Sequence, residues 1–281
     1  MNRQQTITND VELQGRGLFT GHPVTLRLRP GAPDTGIWFV RTDQSPPIRV
    51  AARIENVSKR MRRTSLRNGT VSIETVEHIL GACGGLGLDN LLIELDADEL
   101  PGLDGSSAGF VERLRAAGVC EQDAARSYYV VREPIRVVDG DSELVALPSL
   151  DPDPQALEIT YDLDYGPNSP VGRQTCRIAV NPKIFEANIA PARTFVLEQE
   201  AAELLSGGLG KHLTYHDILV VGKDGPVDNQ LRFPDEYVRH KILDLIGDLT
   251  LLGLPIVGRI FARKSGHALN HALVRALLED H

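Results

Sequence analysis

The sequence predicts an α+β chain built as two halves of one plan, and three observations point there. Alternating apolar and polar residues, the mark of half-buried strands, recur in both halves between helical segments with caps before them and glycines after. Near the C-terminus, Val238-Arg239-His240-Lys241-Ile242-Leu243-Asp244-Leu245-Ile246-Gly247-Asp248 reads as a helix carrying one imidazole and two carboxylates among apolar residues. The motifs around that helix also repeat an order met earlier in the chain.

At 281 residues, with 42% hydrophobic and 24% charged, the composition is that of an ordinary globular protein with room for one large or two medium cores. A formal charge of −8 lacks the basic signature of a general nucleic-acid binder. Cys83, Cys120 and Cys176 are far apart and odd in number, which suits a reducing compartment and forms no CxxC motif. The opening Met1-Asn2-Arg3-Gln4-Gln5-Thr6 has no apolar stretch of a secretory signal. The longest apolar run, residues 249–262, is broken by Gly253, Pro255 and Arg259, short of the ~20 residues of a transmembrane segment. The expectation is a cytoplasmic monomer.

Taking the chain in order, Val24, Leu26 and Leu28 alternate with Thr25, Arg27 and Arg29 until Pro30, which is a half-buried strand. Ile37-Trp38-Phe39-Val40 is a second, ended by Ser45-Pro46-Pro47. Asn68-Gly69, between Thr64-Ser65-Leu66 and Val71-Ser72-Ile73, signals a hairpin. The basic run Lys59, Arg60, Arg62 and Arg63 before it reads first as a solvated face and second as an anion site. Thr75 can cap a helix over residues 76–83, with Gly84-Gly85-Leu86-Gly87 terminating it, so Glu77 and His78 fall in its first turn. A strand at 91–95, a turn and cap at Asp104-Gly105-Ser106, and a helix over 108–117 stopped by Gly118 close the first half.

The second half opens with strands at 128–131, 135–138 and 144–147, an Asp139-Gly140 turn, and the alternating Leu157, Ile159, Tyr161 and Leu163. Asn181-Pro182 starts a short helix, and a helix over 197–205 ends at Gly207-Gly208. A strand at 218–221, the helix at 235–252, a strand at 256–262 and a helix over 267–278 complete it. Val76-Glu77-His78 then corresponds to Val238-Arg239-His240, Leu86-Gly87 to Leu252-Gly253, the strand at Leu91 to that at Ile256, and Ser107-Ala108 to His267-Ala268. The chain divides into an N-terminal domain, residues 1–125, and a C-terminal domain, residues 126–281.

His240, Asp244 and Asp248 recur every four residues, a row that drifts by only about 40° per step. An isolated buried carboxylate costs several kcal/mol, so this face needs a metal, a cation or hydrogen-bond donors. A structural polar network between packed helices would leave the same pattern. If the repeats face each other as an isologous interface would, His78 meets His240, and with Asp244 they form a His2Asp set suited to catalytic zinc. Glu77, beside His78, is the natural general base, a role worth about 10²- to 10⁴-fold; the lesser alternative is that it satisfies a helix N-terminus. His267, after Gly266, can pair with Asp248 and act as a general acid, or cap its helix without chemistry. Thr194 could donate to an oxyanion, a weak signal for a lone threonine. His212 and His216 are a rival metal pair without helical periodicity, while His22, His271 and His281 are expected at the surface.

Five motifs in order carry a resemblance: Thr75-Val76-Glu77-His78, Leu103-Asp104-Gly105-Ser106, Ala192-Arg193-Thr194-Phe195, the helix from Val238 to Asp244, and Lys264-Ser265-Gly266-His267-Ala268-Leu269-Asn270. With Gly15-Arg16-Gly17-Leu18-Phe19-Thr20-Gly21 they resemble the zinc-dependent UDP-3-O-acyl-N-acetylglucosamine deacetylase family of lipid A biosynthesis, from about Gln5 to Leu278. The resemblance implies two similar α+β domains, each a β-sheet layered against two helices in a βααβ sandwich, with the active site between them. It implies zinc (Fe2+ being the other candidate) on His78, His240 and Asp244, Glu77 as base, His267 as protonated partner oriented by Asp248, and Thr194 near the oxyanion. Lys241 and Lys264 would lie near the diphosphate or the reacting centre of a UDP-linked acylated N-acetylglucosamine. The reaction implied is hydrolysis of the 2-acetamido group.

Two places depart from the family's pattern. Lys211-His212-Leu213-Thr214-Tyr215-His216 stands where small residues usually line the passage for the 3-O-acyl chain, and Val196-Leu197 stands where Gly-Phe is common. A reshaped or shortened acyl passage with intact metal chemistry is the expectation. A deacetylase for a nucleotide sugar with a short or no acyl chain is the alternative among enzymes. A non-catalytic nucleotide-sugar binder is the alternative outside them, and it has no need for Glu77 and His267 together.

Overall fold

The computed structural model describes residues 2–151 and 157–279. The first half runs β1 (Arg3–Ile7), β2 (Val11–Arg16), β3 (Pro23–Pro30), β4 (Ile37–Arg41) and β5 (Ile48–Ala51). After a 3-10 turn at Ile54–Asn56 come β6 (Val57–Ser58), β7 (Ser65–Asn68), β8 (Val71–Glu74), α1 (Glu77–Leu86), β9 (Leu91–Leu95) and α2 (Ala108–Ala117). Next are β10 (Val119–Ala125), which returns to pair with β1, then β11 (Tyr129–Val130), β12 (Ile135–Asp139), β13 (Ser142–Leu147), β14 (Leu157–Asp164) and β15 (Arg173–Val180). The chain continues through α3 (Pro182–Asn188), β16 (Phe195–Leu197), α4 (Glu198–Ser206), β17 (Leu219–Gly222), β18 (Gly225–Pro226), α5 (Glu236–Thr250), β19 (Ile256–Arg263) and α6 (His267–Glu279).

The two large sheets repeat one another. Their strand orders are β2-β3-β9-β4-β5 and β12-β13-β19-β14-β15, with β11 beside β19. In each, the strand that follows the helix enters between the second and third strands, antiparallel to one and parallel to the other. The motif correspondences in the sequence are therefore the trace of one topology used twice. Alternation sets the faces: Val24, Leu26 and Leu28 of β3 and Leu91, Ile93 and Leu95 of β9 are buried, while Arg27 points outward. The fold is α+β, with helices layered on each sheet: α2 on β2, α6 on β12 and β13, and α5 on β14 and β15.

The layers meet where α1 crosses α5, and glycines set how closely. A Cβ on Gly247 would sit 2.1 Å from the Glu77 carbonyl oxygen, so the two main chains nearly touch. The same packing corrects the expected end of α1. The helix does not stop at Cys83; it runs through Gly84 and Gly85 to Leu86 and closes on Gly87 at φ 75°. A Cβ on Gly84 would lie 2.5 Å from Thr250 Oγ1, and one on Gly85 2.2 Å from the Phe185 ring, so these glycines admit neighbours rather than end the helix. Arginines serve both C-terminal ends: Arg126 donates to the Gly87 carbonyl at 2.9 Å and Arg53 to the Leu252 carbonyl at 2.8 Å.

Both hairpins sit one residue later than Asn68-Gly69 and Asp139-Gly140 suggest. Asn68 pairs with Val71 and Asp139 with Ser142, so the loops are Gly69-Thr70 and Gly140-Asp141, each opening on a glycine of positive φ. Strands β1, β2, β5, β10 and β15 carried no clear signal. In β15 only Cys176 and Ile178 are buried, too few apolar positions to show a period.

Candidate active site

α5 delivers the predicted row into the interior: His240, Asp244 and Asp248 are 2%, 4% and 0% exposed. α1 brings His78 from the other repeat, its ring 5.1 Å from that of His240 and edge-on to it. His240 Nε2 lies 3.2 Å and His78 Nε2 3.8 Å from Asp244 Oδ1, and one ligand atom from each of the three residues falls within 4.8 Å of the others. A tetrahedral ion with bonds of ~2.0 Å needs ligand atoms roughly 3.3 Å apart, so the set fits one metal after small adjustment. The tautomers also suit it. His240 Nδ1 donates to the Ala192 carbonyl at 3.1 Å, which leaves Nε2 as the lone-pair nitrogen facing Asp244. His78 Nδ1 is buried and has no hydrogen-bond partner among the described residues. Burial, reinforced by the nearby His240, pushes the His78 pKa down to about 3, keeping the ring neutral as a ligand must be. Burial would raise the pKa of Asp244, but His240 and Lys241, whose Nζ is 2.9 Å away, hold it well below the usual range.

Glu77 stands beside this set for a reason that corrects the expected cap. Thr75 adopts φ 61° and donates to Glu99 Oε1 at 3.1 Å, while the N-cap is Val76, with no side-chain bond. The Glu77 carboxylate is thereby free to turn inward, where Oε2 accepts the Thr64 N–H at 3.0 Å. Burial lifts its pKa to about 8, countered by His267 and supported by Asp244, a value suited to taking and returning a proton near neutrality.

His267 opens α6 and donates through Nδ1 to Asp248 Oδ2 at 2.8 Å. Burial disfavours its charge, but Asp248, Asp244 and Glu77 outweigh it and raise the pKa to about 9. Asp248 collects further donors, Asn270 Nδ2 at 2.8 Å and Thr64 Oγ1 at 2.5 Å, with His271 Nε2 3.3 Å away. These neighbours overcome its burial and keep it ionised.

The set opens into a cavity of about 1120 Å³. It is lined by Glu77, His78, Thr194, His240, Asp244 and His267 together with the apolar Phe19, Val196, Leu204, Leu209, Leu213 and Ile218. Glu99 shapes one wall by accepting the N–H groups of Phe19 and Thr20, each at 2.8 Å, and Arg63 stacks 4.2 Å above the Phe19 ring.

A group of side chains that could hold a metal lies at the junction of two repeats, and comparison with known proteins gives the chain a family. The model of the LpxC family, UDP-3-O-acyl N-acetylglycosamine deacetylase, matches residues 4–279. The chain belongs to this family. A UDP-3-O-acyl-N-acetylglucosamine deacetylase of Anaeromyxobacter sp. (strain Fw109-5) is 42% identical over 279 residues, 99% of this chain and 89% of the relative. Proteins of the same name from Myxococcus xanthus (strain DK1622) and Geobacter sp. (strain M21) are each 39% identical, over 99% and 98% of this chain and 87% and 89% of their own lengths.

The other residues that the sequence singled out lie around this set or away from it. Lys264 does not line the large cavity; it lies with Lys241 and Tyr165 on an adjoining pocket of about 390 Å³, its Nζ 3.9 Å from Asp164. His212 and His216 are exposed and join no metal-ligand cluster among the described residues. His22 is exposed as expected, and His281 lies outside the described residues. His271 is corrected: it is buried against Asp248 and Thr64. The basic run is mostly exposed, as a solvated face would be, with Arg60 and Arg63 paired to Glu74 and Arg62 to Glu200. Leu213, Thr214 and Tyr215 of the departing segment do line the cavity. Sequence reasoning also missed Arg193 and Glu236, a buried pair at 2.8 Å that anchors the segment carrying Ala192 and Thr194 to the first turn of α5. An arginine and a glutamate 43 positions apart leave no local signal.

Proposed function

We propose that the chain hydrolyses the 2-acetamido group of UDP-3-O-acyl-N-acetylglucosamine to the free amine and acetate, the committed step toward lipid A, acting in the cytoplasm as a monomer. The observation that supports this most is the meeting of His78, His240 and Asp244 with Glu77 and His267 in one cavity that also has a large apolar lining. In this reading residues 1–125 contribute the base and one ligand, and residues 126–281 the other two ligands and the acid.

His78, His240 and Asp244 would hold zinc, with iron as the alternative a His2Asp set also accepts. When bound, the ion supplies a Lewis acid that polarises an amide carbonyl and acidifies water. Glu77 takes a proton from the attacking water as its oxygen bonds to the acetyl carbon. Thr194 donates a hydrogen bond to the oxyanion that develops. His267, charged and turned by Asp248, gives its Nε2 proton to the nitrogen as the C–N bond breaks. Lys241, on Asp244, serves the reacting centre, and Lys264, on the adjoining pocket, meets the diphosphate.

The apolar walls favour an acylated sugar over a nucleotide sugar without a chain. The test is acetate release from UDP-3-O-acyl-N-acetylglucosamine beside non-acylated UDP-N-acetylglucosamine. Release confined to the acylated substrate is expected; equal turnover of both would move the assignment to another nucleotide sugar, and no turnover of either would revive a binding protein.

A further inference from the structure

Glu77 and Asp248 stand on helices of different repeats, and one residue binds both. Thr64, just before β7, is fully buried and absent from the cavity wall, so it does not meet substrate. Three of its atoms are held. Its N–H donates to Glu77 Oε2 at 3.0 Å, its carbonyl accepts the N–H of Val76 at the head of α1, and its Oγ1 lies 2.5 Å from Asp248 Oδ1. The same Oγ1 is 3.0 Å from His271 Nε2 and 3.2 Å from His267 Nδ1.

The hydroxyl has one proton, and the donor inventory of its neighbours settles where it points. Asp248 only accepts and is the nearest partner, so it receives the Thr64 proton. His267 Nδ1 directs its proton to Asp248 Oδ2, which leaves His271 Nε2–H as the donor to Thr64 Oγ1. Thr64 is thus oriented by His271, from the far side of the carboxylate that orients His267.

On the basis of the deacetylase reading, we infer that Thr64 is a positioning residue that locks the base to the acid's partner across the junction of the repeats, with His271 holding its hydroxyl. The backbone amide fixes Glu77 while the hydroxyl fixes Asp248, so a shift of either helix is resisted at one buried point. A network shared by two catalytic groups acts on the transition state more than on substrate binding.

Thr64→Val removes the hydroxyl but keeps the volume and the N–H to Glu77. The expected result is a fall in kcat of about 10-fold, with KM within about 2-fold of the wild type and metal content unchanged. Thr64→Ser restores kcat to within about 3-fold, since it returns the hydroxyl. His271→Asn, which leaves Thr64 in place, lowers kcat less, and its effect does not add to that of Thr64→Val because both act through one carboxylate. Wild-type kcat in Thr64→Val, failure of serine to rescue, or loss of metal along with activity would overturn the inference. If Thr64→Val does not fold, His271→Asn decides alone: unchanged kcat refutes it. A wild-type protein that releases no acetate removes the deacetylase reading and this inference with it, whereas normal wild-type turnover beside an unaffected Thr64→Val removes only the inference.

Discussion

Gly247→Ala adds one methyl group where α5 crosses α1. In an exposed helix that change stabilises by about 1 kcal/mol, because alanine is the better helix former. Here the new Cβ would lie 2.1 Å from the Glu77 carbonyl oxygen and 3.1 Å from the Gly81 amide nitrogen, when ordinary contact begins at 3.4 Å. Both obstacles are main chain, so no rotamer change relieves them, and the helices must part by roughly 1 Å. Overpacking of this kind costs about 3 kcal/mol, the upper end of its usual range, leaving a net loss of about 2 kcal/mol. Thermal unfolding at about 2–4 °C per kcal/mol should then show a Tm lowered by several degrees. The displacement falls between His78 and the pair His240 and Asp244, so metal affinity should drop by about 10-fold or more, as it does when ligand support is lost. Calorimetry and competition with a chelator measure the two effects, with Gly266→Ala, which meets nothing within 4 Å, as the stability control. A Gly247→Ala protein with the wild-type Tm and metal affinity would refute the claim that this crossing sets the ligand geometry.

Three further outcomes are expected. Arg193→Met leaves the fully buried Glu236 without its cation and should destabilise by about 3–5 kcal/mol in denaturant unfolding, with part of the loss recovered in Arg193→Met/Glu236→Leu; a neutral single variant would contradict the pair's role. His212→Ala/His216→Ala should retain its full metal content by elemental analysis, and loss of an equivalent would reinstate the rival site. In a series of substrates of varied acyl length, the bulky Leu213 and Tyr215 on the cavity wall should shift the optimum toward shorter chains; an unshifted preference for long chains would count against a shortened passage.

The parts of the site that the sequence revealed obey local rules. His240, Asp244 and Asp248 announce themselves because acids in an apolar helix need partners, and the matched order of motifs brings His78 to them once the repeats face each other. The residues that escaped notice are joined by contacts far apart in sequence. Thr64 reaches Asp248 across 184 positions, and nothing near Thr64 hints at it. His271 was within reach of the rule that found the row, since it follows His267 by four residues on an amphipathic helix and so shares its face. Thr75 and the Gly84-Gly85 pair were misjudged for one reason: a capping residue and a terminator in the sequence are, in the fold, a ligand of Glu99 and a packing surface for α5 and Phe185. Tertiary packing overrode the local signal at both ends of α1.

The proposed reaction divides its labour between a metal ligand and a base, Asp244 and Glu77. Its most direct test is metal content and acetate release measured side by side in Asp244→Ala and Glu77→Ala. Asp244→Ala should lose both, while Glu77→Ala should keep its metal and lose about 10²- to 10⁴-fold in turnover. Normal turnover in metal-loaded Glu77→Ala, or a full equivalent of tightly bound metal in Asp244→Ala, would contradict it.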